Sequence, residues 1–303
     1  MPTALRLLLA IASLALASCG RMEQSARARP GDGAVIFQST ILTMDARRPG
    51  AEALIVKDGV IVDVGAIDDL VQAYPGAKFD EKYLRKVLTP SFVDARLPAN
   101  ALGVIEIPCN GDLLADDVAS AGRGGAPVRV IASGPVALNA ALEAVRRIPD
   151  KGAIGRISIE ARGAIAADAA REIAASGAVL ILSAEPSAAD CAGAPEDAVG
   201  TGAGAPTLIS GGIAVSPRSG DQDFLGAAAR FMNDIAPVRL SPVEAFEAIT
   251  IDAASAIGLE NDRGSIAPGK RASFAVLDRN PMATPAEAWS AIKVSAVDLA
   301  PAP

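Results

Sequence analysis

Strand-like apolar runs alternate with alanine-rich helical stretches between about residues 100 and 235. The runs are Val128–Ala132, Arg156–Glu160, Ala178–Leu182 and Ile213–Ser216, and the predicted helices are 137–147, 166–176 and 224–233. Strands that alternate with helices in this way pair in parallel, because each helix carries the chain back across the sheet. A further helix is predicted from Ser241-Pro242, with proline in its first turn, to about Ile257. The pattern restricts the middle of the chain to an α/β fold.

Both flanks of this region are rich in β-branched residues. Short β-like runs occupy residues 35–64, where Asp58-Gly59 is a hairpin-turn signal, and similar runs return from Gly264 to Val276. We expect residues 34–88 and 264–298 to form one composite β-domain from both chain ends. A complete eight-stranded barrel usually takes about 250 residues, and residues 89–263 are fewer. We therefore predict an incomplete TIM-like (β/α) barrel, or an open α/β sheet, beside the small β-domain.

The chain contains no histidine among its 303 residues. Histidine is the commonest general base and the commonest zinc ligand, so its absence limits the chemistry that any site here can perform. Aromatic residues make up 3% of the chain, and stacking surfaces for sugars or bases are therefore scarce. A formal net charge of −7 disfavours a basic surface for nucleic acid. No nucleic-acid partner is expected.

The first 18 residues have the features of a cleaved bacterial signal peptide. Arg6 precedes the short apolar run 7–16, which is too short to span a bilayer, and small residues follow it. Leu16-Ala17-Ser18-Cys19 resembles the lipobox of bacterial lipoproteins, in which the cysteine is acylated. We expect Cys19 to anchor the protein in the lipid bilayer and residues 19–33 to form a flexible tether. Gly20 predicts the periplasmic side of the outer membrane, by analogy with Gram-negative sorting. An ordinary signal peptide that happens to contain a cysteine is the alternative.

Two further segments resemble the amidohydrolase superfamily, in particular its amidohydrolase-3-like hydrolases of carbon–nitrogen bonds. Residues 88–98, Leu-Thr-Pro-Ser-Phe-Val-Asp-Ala-Arg-Leu-Pro, are similar to the family's first barrel strand, usually Pro-Gly-Phe-Ile-Asp-Ala-His-x-His. Residues 264–273 are very similar to the carboxy-terminal signature Gly-Ser-Ile-x-Pro-Gly-Lys-x-Ala-Asp, with Ser273 in place of the final aspartate. A weaker match, residues 156–161, resembles a strand that normally reads Arg-x-x-x-Glu-His. The resemblance implies a TIM barrel and zinc-dependent hydrolysis.

The residues that would bind the family's zinc are replaced in this chain. The two histidines of the first motif correspond to Arg96 and Pro98, and the later histidine corresponds to Ala161. None of these side chains can ligate zinc. We therefore predict that the chain has no metal ligands and no cofactor.

One catalytic carboxylate of the family remains as a candidate. Asp221 or Asp223 occupies its approximate position, but the family's Ser-Asp pair corresponds equally well to Ser216-Pro217. Asp221 is the residual catalytic candidate that we retain.

Cys109 and Cys191 remain once Cys19 is assigned to lipidation. In an exported chain they can close a disulfide, and two buried thiols are an equally good interpretation. A cysteine nucleophile is disfavoured, because no histidine is present to act as its base.

Three functional hypotheses follow from these features. The first is a degenerate amidohydrolase-like lipoprotein, a pseudoenzyme that binds a small molecule or an envelope protein. The second is an active hydrolase with an unusual histidine-free carboxylate site, built from residues such as Asp94 and Asp221. The third is an envelope scaffold whose fold is incidental. Fold alone does not separate them, because function resides in the site.

Overall fold

The computed structural model describes residues 29–96, 103–107, 111, 115–148, 155–162, 169, 172–173, 175–183, 213–216, 223–233 and 240–299. Two β-sheets and six α-helices make up this part of the chain. None of these described helices combines the length and the apolar character that crossing a bilayer requires.

The elements follow one another in an order that places β-strands at both ends of an α/β middle. In chain order they are β1 (Val35–Leu42), β2 (Gly50–Lys57), β3 (Val60–Gly65), α1 (Ile67–Ala73), β4 (Lys78–Asp80), β5 (Val87–Pro90), β6 (Gly103–Ile107), α2 (Ala115–Ala121), β7 (Val128–Ser133), α3 (Gly134–Arg147), β8 (Ile157–Arg162), β9 (Val179–Ser183), β10 (Ile213–Ser216), α4 (Phe224–Asn233), α5 (Pro242–Ala248), α6 (Ile251–Ala256), β11 (Ser273–Leu277) and β12 (Val294–Asp298). Two short 3-10 helices, Pro281–Ala283 and Ala286–Ala291, lie between β11 and β12.

The first sheet has seven strands drawn from both ends of the described chain. Its order is β12-β11-β5-β1-β2-β3, and β4 also pairs with β1. Asp58 and Gly59 turn β2 back into β3, both at positive φ (50° and 75°), as the Asp-Gly signal predicted. β5 connects the two halves of the sheet, because it pairs with β1 on one side and with β11 on the other.

The second sheet is parallel, with five strands in the order β10-β9-β8-β7-β6. The four strand-like runs identified in the sequence form β7, β8, β9 and β10, so the predicted parallel sheet is confirmed. The predicted helix 137–147 is also present and begins three residues earlier, with Pro135 in its first turn. The fold is therefore α/β and is an incomplete TIM-like barrel, with five of the eight parallel strands of a whole barrel present in the described residues.

The two faces of the parallel sheet differ in character because side chains alternate along each strand. One face is apolar and packs against buried residues of α3; it presents Val128, Val130, Ala132, Ile157, Ile159, Ala161, Leu180 and Leu182. Burial of each larger aliphatic side chain stabilises the fold by roughly 1.5–3 kcal/mol. The opposite face is mixed. Val179 and Ile181 pack there against α6 and against Val93 and Ala95, whereas Arg129 and Glu160 place charges on it.

The predicted helix from Ser241 to about Ile257 is two helices, and that expectation was wrong in its length. Ser241 and Glu244 form a capping box at the start of α5, as the Ser-Pro start favours. The helix ends at Ala248 because Thr250 adopts φ −129° and ψ −93° and donates its hydroxyl to the Phe246 carbonyl at 2.7 Å. A second helix, α6, then begins at Ile251. A threonine that bonds to the preceding turn competes with the helical ladder.

An aromatic cluster packs at the junction between the two sheets. Phe92, which follows β5, contacts Phe224 of α4 and Phe246 of α5, with ring centroids 5.7 and 5.8 Å apart. Trp289 lies edge-on to Phe246 at 6.1 Å and is fully buried. Each such pair contributes about 1 kcal/mol beyond its buried area. The cluster therefore fixes the chain where it leaves β5 for the parallel sheet.

Candidate functional site

The segment after β5 brings Asp94 and Arg96 to the mixed face of the parallel sheet. The Val93 amide donates to the Ile249 carbonyl at 2.9 Å, which ties this segment to the end of α5. The Arg96 guanidinium forms two hydrogen bonds to the Asp94 carboxylate. Nε donates to Oδ1 at 3.0 Å, and Nη2 donates to Oδ2 at 2.9 Å. The Arg96 backbone amide also donates to Oδ1 at 3.0 Å. Two parallel charge-assisted hydrogen bonds are the strongest geometry available to this pair of groups.

Three charged side chains from β7 and β8 lie on the same face. Glu160 has no exposed surface, and its Oε1 accepts a hydrogen bond from Arg162 Nε at 3.1 Å. Arg129 approaches the other carboxylate oxygen. Arg162 also reaches Glu106 of β6, whose side chain is 62% exposed. We refer to Asp94, Arg96, Arg129, Glu160 and Arg162 as the charged cluster.

The side chains of the charged cluster influence one another electrostatically. Burial lowers the pKa of Arg129, and the carboxylates of Glu160 and Asp94 oppose that shift, whereas Arg96 and Arg162 add to it. The other four side chains therefore lie within electrostatic range of Arg129. Three guanidinium groups face two carboxylates. The Arg162 guanidinium also lies 3.4 Å from Glu106, so a third carboxylate contributes to the balance of charge.

The positions that correspond to the family's zinc ligands do not form a metal site. The Arg96 guanidinium is hydrogen-bonded to Asp94. A guanidinium also has no lone pair with which to ligate a metal. Ala161 lies 5% exposed on the apolar face of β8, opposite to Glu160 and Arg162, and so the structure does not bring it to the charged cluster. Within the described ranges, no three His, Cys, Asp or Glu side chains are arranged to hold an ion. The described residues do not fit zinc.

Several predicted residues lie outside the part of the chain that the structure describes. They are Cys19, Pro98, Cys109, Cys191 and Asp221. Asp223, the alternative to Asp221, is described and precedes α4. Its Oδ1 accepts a hydrogen bond from the Gly226 amide at 2.7 Å, as a helix cap does.

Ser273, which replaces the final aspartate of the carboxy-terminal signature, contacts Ser91. The Ser273 and Ser91 hydroxyls are hydrogen-bonded at 2.7 Å, and the Ser91 amide donates to the Ser273 carbonyl at 3.2 Å. Ser91 itself stands where the family motif has glycine. Two departures from the motifs thus meet where β5 and β11 pair, and together they form a neutral hydrogen bond in place of the family's carboxylate.

A second polar feature is a cleft of about 340 Å³ between α5, α6 and the loop before β11. Lys270 lines it and donates its ammonium group to the Glu260 carbonyl and to the Ser265 hydroxyl, each at 2.6 Å. Burial lowers the pKa of Lys270. On the opposite wall, burial raises the pKa of Glu247, and the neighbouring carboxylates of Asp252 and Glu244 raise it further. Ser265, Ala267 and Lys270, which line the cleft, belong to the carboxy-terminal signature.

Sequence reasoning missed the role of Arg129, Glu160 and Arg162. The sequence did contain a signal for them. Each is a charged residue in or at the end of a largely apolar strand, and charged residues are almost never fully buried unless they are paired. What the sequence does not give is the register that places Glu160 opposite Ile131 and Arg162 opposite Ser133.

Comparison with known proteins relates the chain to one family. The model of the amidohydrolase family matches residues 61–298. An amidohydrolase from Thermotoga maritima MSB8 has a similar structure, with a TM-score of 0.57 and 13% identity over 82% of this chain and 95% of that one. An uncharacterised protein of known structure has a TM-score of 0.52 and 14% identity over 88% of this chain and 98% of its own. No curated protein sequence matches the chain. At these identities the structural similarity concerns the fold.

Proposed function

The chain belongs to the amidohydrolase family, and from this membership we propose that it is a catalytically degenerate member, a pseudoenzyme. The family hydrolyses carbon–nitrogen bonds other than peptide bonds. In this chain the hydrolase fold is retained, and its role is to bind a small molecule or an envelope protein.

The salt bridge between Arg96 and Asp94 is the observation that carries this proposal. Arg96 stands where the family motif has its first metal-binding histidine, and it occupies both oxygens of the adjacent Asp94. A fixed guanidinium charge repels a divalent cation at that position. Catalytic zinc needs about three protein ligands, and the histidine-free chain supplies none of the family's histidines.

We further propose that the protein is held at the cell envelope by acylated Cys19. The proposal rests on the lipobox-like Leu16-Ala17-Ser18-Cys19 and on the short apolar run before it. Acyl chains on a single cysteine provide the multiple hydrophobic insertions that stable anchoring requires. The tether 19–33 then places the folded part on the periplasmic side of the outer membrane, where a ligand or an envelope protein is the partner.

A substrate panel tests the loss of catalysis. The purified protein is assayed against amides and N-acyl amino acids, with and without added zinc or manganese, and again after chelation. We expect no turnover above that of the buffer. Chelator-sensitive turnover that disappears in Asp94→Ala or Asp221→Ala, but not in the exposed control Asp116→Ala, would establish the alternative, an active hydrolase with a carboxylate site.

A further inference from the structure

The segment that begins with β4 and leads into β5 exposes apolar and basic side chains together. We call residues 78–86, Lys-Phe-Asp-Glu-Lys-Tyr-Leu-Arg-Lys, the basic strip. Phe79 and Leu84 are each 45% exposed, and neither belongs to an apolar cluster of the described residues. Phe79 is the one exposed aromatic side chain among those that the structure describes. Phenylalanine and leucine beside lysine and arginine are typical of protein surfaces that lie at a membrane interface.

The backbone of the basic strip follows the edge of β1. β4 pairs in parallel with the first residues of β1. The Lys82 ammonium group then lies 4.9 Å from the centroid of the Phe37 ring. Near the end of the strip, the Lys86 carbonyl accepts a hydrogen bond from the Ser39 hydroxyl at 2.7 Å. The strip is therefore fixed on the first sheet along its whole length.

The basic strip also lies where the predicted tether enters the fold. The first described residue is Arg29, and five residues later the Ala34 carbonyl accepts a hydrogen bond from the Lys78 amide at 2.9 Å. Arg29 follows Cys19 by ten residues, and a chain of ten residues spans at most about 35 Å. An acylated Cys19 would therefore hold the strip close to the bilayer surface.

The charge of the basic strip favours an anionic surface. Four of its nine residues are lysine or arginine and two are acidic, whereas the whole chain has a formal net charge of −7. Asp80 forms an ion pair with Lys82 at 3.6 Å. In the part of the chain that the structure describes, Lys78, Arg85 and Lys86 are exposed and have no ion-pair partner. Such residues are attracted to anionic phospholipids when they lie within about 10 Å of the bilayer surface.

We propose that the basic strip rests on the anionic phospholipid headgroups of the bilayer that holds Cys19, an inference that depends on the proposed lipid anchor. Phe79 and Leu84 enter the boundary between headgroups and acyl chains, and the unpaired basic side chains contact lipid phosphates. The short distance from Cys19 favours lipid over an envelope protein as the occupant of this surface. The anchor alone leaves the fold free to turn about its tether, whereas this second contact fixes the face that meets the bilayer.

Fluorescence quenching on vesicles tests the proposal without the natural anchor. The chain from residue 20 onward, which keeps every residue that the structure describes, receives an amino-terminal histidine tag and is attached to vesicles through a nickel-chelating lipid. No native histidine competes with the tag. The vesicles contain brominated phosphatidylcholine, either alone or mixed with phosphatidylglycerol.

Phe79→Trp is the reporter, and Val243→Trp, at a side chain of α5 that is 50% exposed, is the matched control. The native Trp289 is fully buried, and its emission is measured in the unmutated protein and subtracted. On vesicles with phosphatidylglycerol, Phe79→Trp should be quenched at least about twofold more strongly than Val243→Trp, because side chains of a surface-bound segment reach the acyl boundary.

Removal of the charge should remove most of this difference. In the Phe79→Trp chain, the test variant carries Lys78→Gln, Arg85→Gln and Lys86→Gln, and raised ionic strength should act in the same direction. The charge-matched control carries Arg146→Gln, Arg147→Gln and Lys293→Gln, three exposed positions outside the strip, and should be quenched like Phe79→Trp itself. Hydrogen exchange of the unmutated protein is a parallel measurement that needs no substitution, and residues 81–86 should exchange more slowly on anionic vesicles than on neutral ones.

Two results would overturn the inference. The first is quenching of Phe79→Trp no stronger than that of Val243→Trp, which would assign the exposed side chains to an envelope protein. The second is equal quenching of Phe79→Trp on vesicles of phosphatidylcholine alone. Because the tag replaces the acylated cysteine, neither result depends on lipidation of Cys19. Conversely, a failure of Cys19 to incorporate palmitate would refute the anchor without changing the quenching.

Discussion

Nε of Arg129 lies 3.6 Å from Oε2 of Glu160, and the Glu160 side chain has no exposed surface. Two guanidinium groups from adjacent strands, Arg129 and Arg162, thus compensate one fully buried carboxylate. Burial of an uncompensated charge costs several kcal/mol. The two arginines therefore offset the cost of burying the Glu160 charge.

Replacement of Glu160 by glutamine should destabilise the protein by about 3 kcal/mol, because it leaves buried guanidinium groups without their counter-charge. The measurement is the free energy of unfolding from urea denaturation. Glu143→Gln is the matched control, since its pair with Arg147 on α3 is 55% and 73% exposed; it should change stability by less than about 0.5 kcal/mol. Equal effects of the two substitutions would show that the cluster does not need the Glu160 charge.

Replacement of Arg96 by methionine should cost about 2 kcal/mol, because Asp94 loses two charge-assisted hydrogen bonds in a partly buried place. The chain offers an internal control in Arg47→Met. Arg47 has the same Asp-x-Arg spacing, and its amide and Nε also donate to one oxygen of Asp45, but its side chain is 89% exposed. The control should change the free energy of unfolding by less than about 0.5 kcal/mol. If Arg47→Met lowered the free energy of unfolding as much as Arg96→Met, burial would not strengthen the pair between Arg96 and Asp94.

The sequence predicted the strands of the parallel sheet because buried strands are apolar and β-branched, as in β7 and β9. The turn at Asp58-Gly59 was predictable because few residue pairs adopt positive φ twice. The break between α5 and α6 was not, since it depends on one threonine hydroxyl bonding backward to Phe246. The charged cluster was not predictable either, because Arg129 and Glu160 meet only through the pairing of β7 with β8.

Stability should fall as the pH rises through the titration of Glu247. Burial raises its pKa above the ordinary value of 4.5, with Asp252 and Glu244 adding to the shift, so the folded state binds the proton more tightly than the unfolded state. Ionisation of the buried carboxylate therefore lowers the free energy of unfolding. This loss is absent below the pKa that Glu247 has in the unfolded state and is complete above its pKa in the folded state. Glu247→Gln should be more stable than the unmutated protein at about pH 8 and no more stable at about pH 4.

Thermal unfolding across this pH range, followed by Trp289 fluorescence, provides the measurement. Glu81→Gln, at an exposed glutamate before β5, is the control and should show no such pH-dependent difference. A Glu247→Gln difference of the same size at both ends of the pH range would contradict the assignment.

Cys19 should carry the lipid anchor, because it follows a short apolar run and two small residues. Cells that express the unmutated protein should incorporate radiolabelled palmitate into it and retain it in the membrane fraction. Cys19→Ser should abolish the labelling, whereas Cys109→Ser should not. Equal labelling of the unmutated protein and Cys19→Ser would refute the proposed anchor.

Metal content tests most directly the claim that the metal centre has been lost. The purified protein is incubated with excess zinc, dialysed, and analysed for zinc per chain, beside Asp94→Ala treated in the same way. Because Arg96 places a guanidinium where the family has a ligand and no histidine is present, we predict far less than one zinc per chain in both proteins. One zinc per unmutated chain, lost in Asp94→Ala, would contradict the account and show that an unusual active site remains.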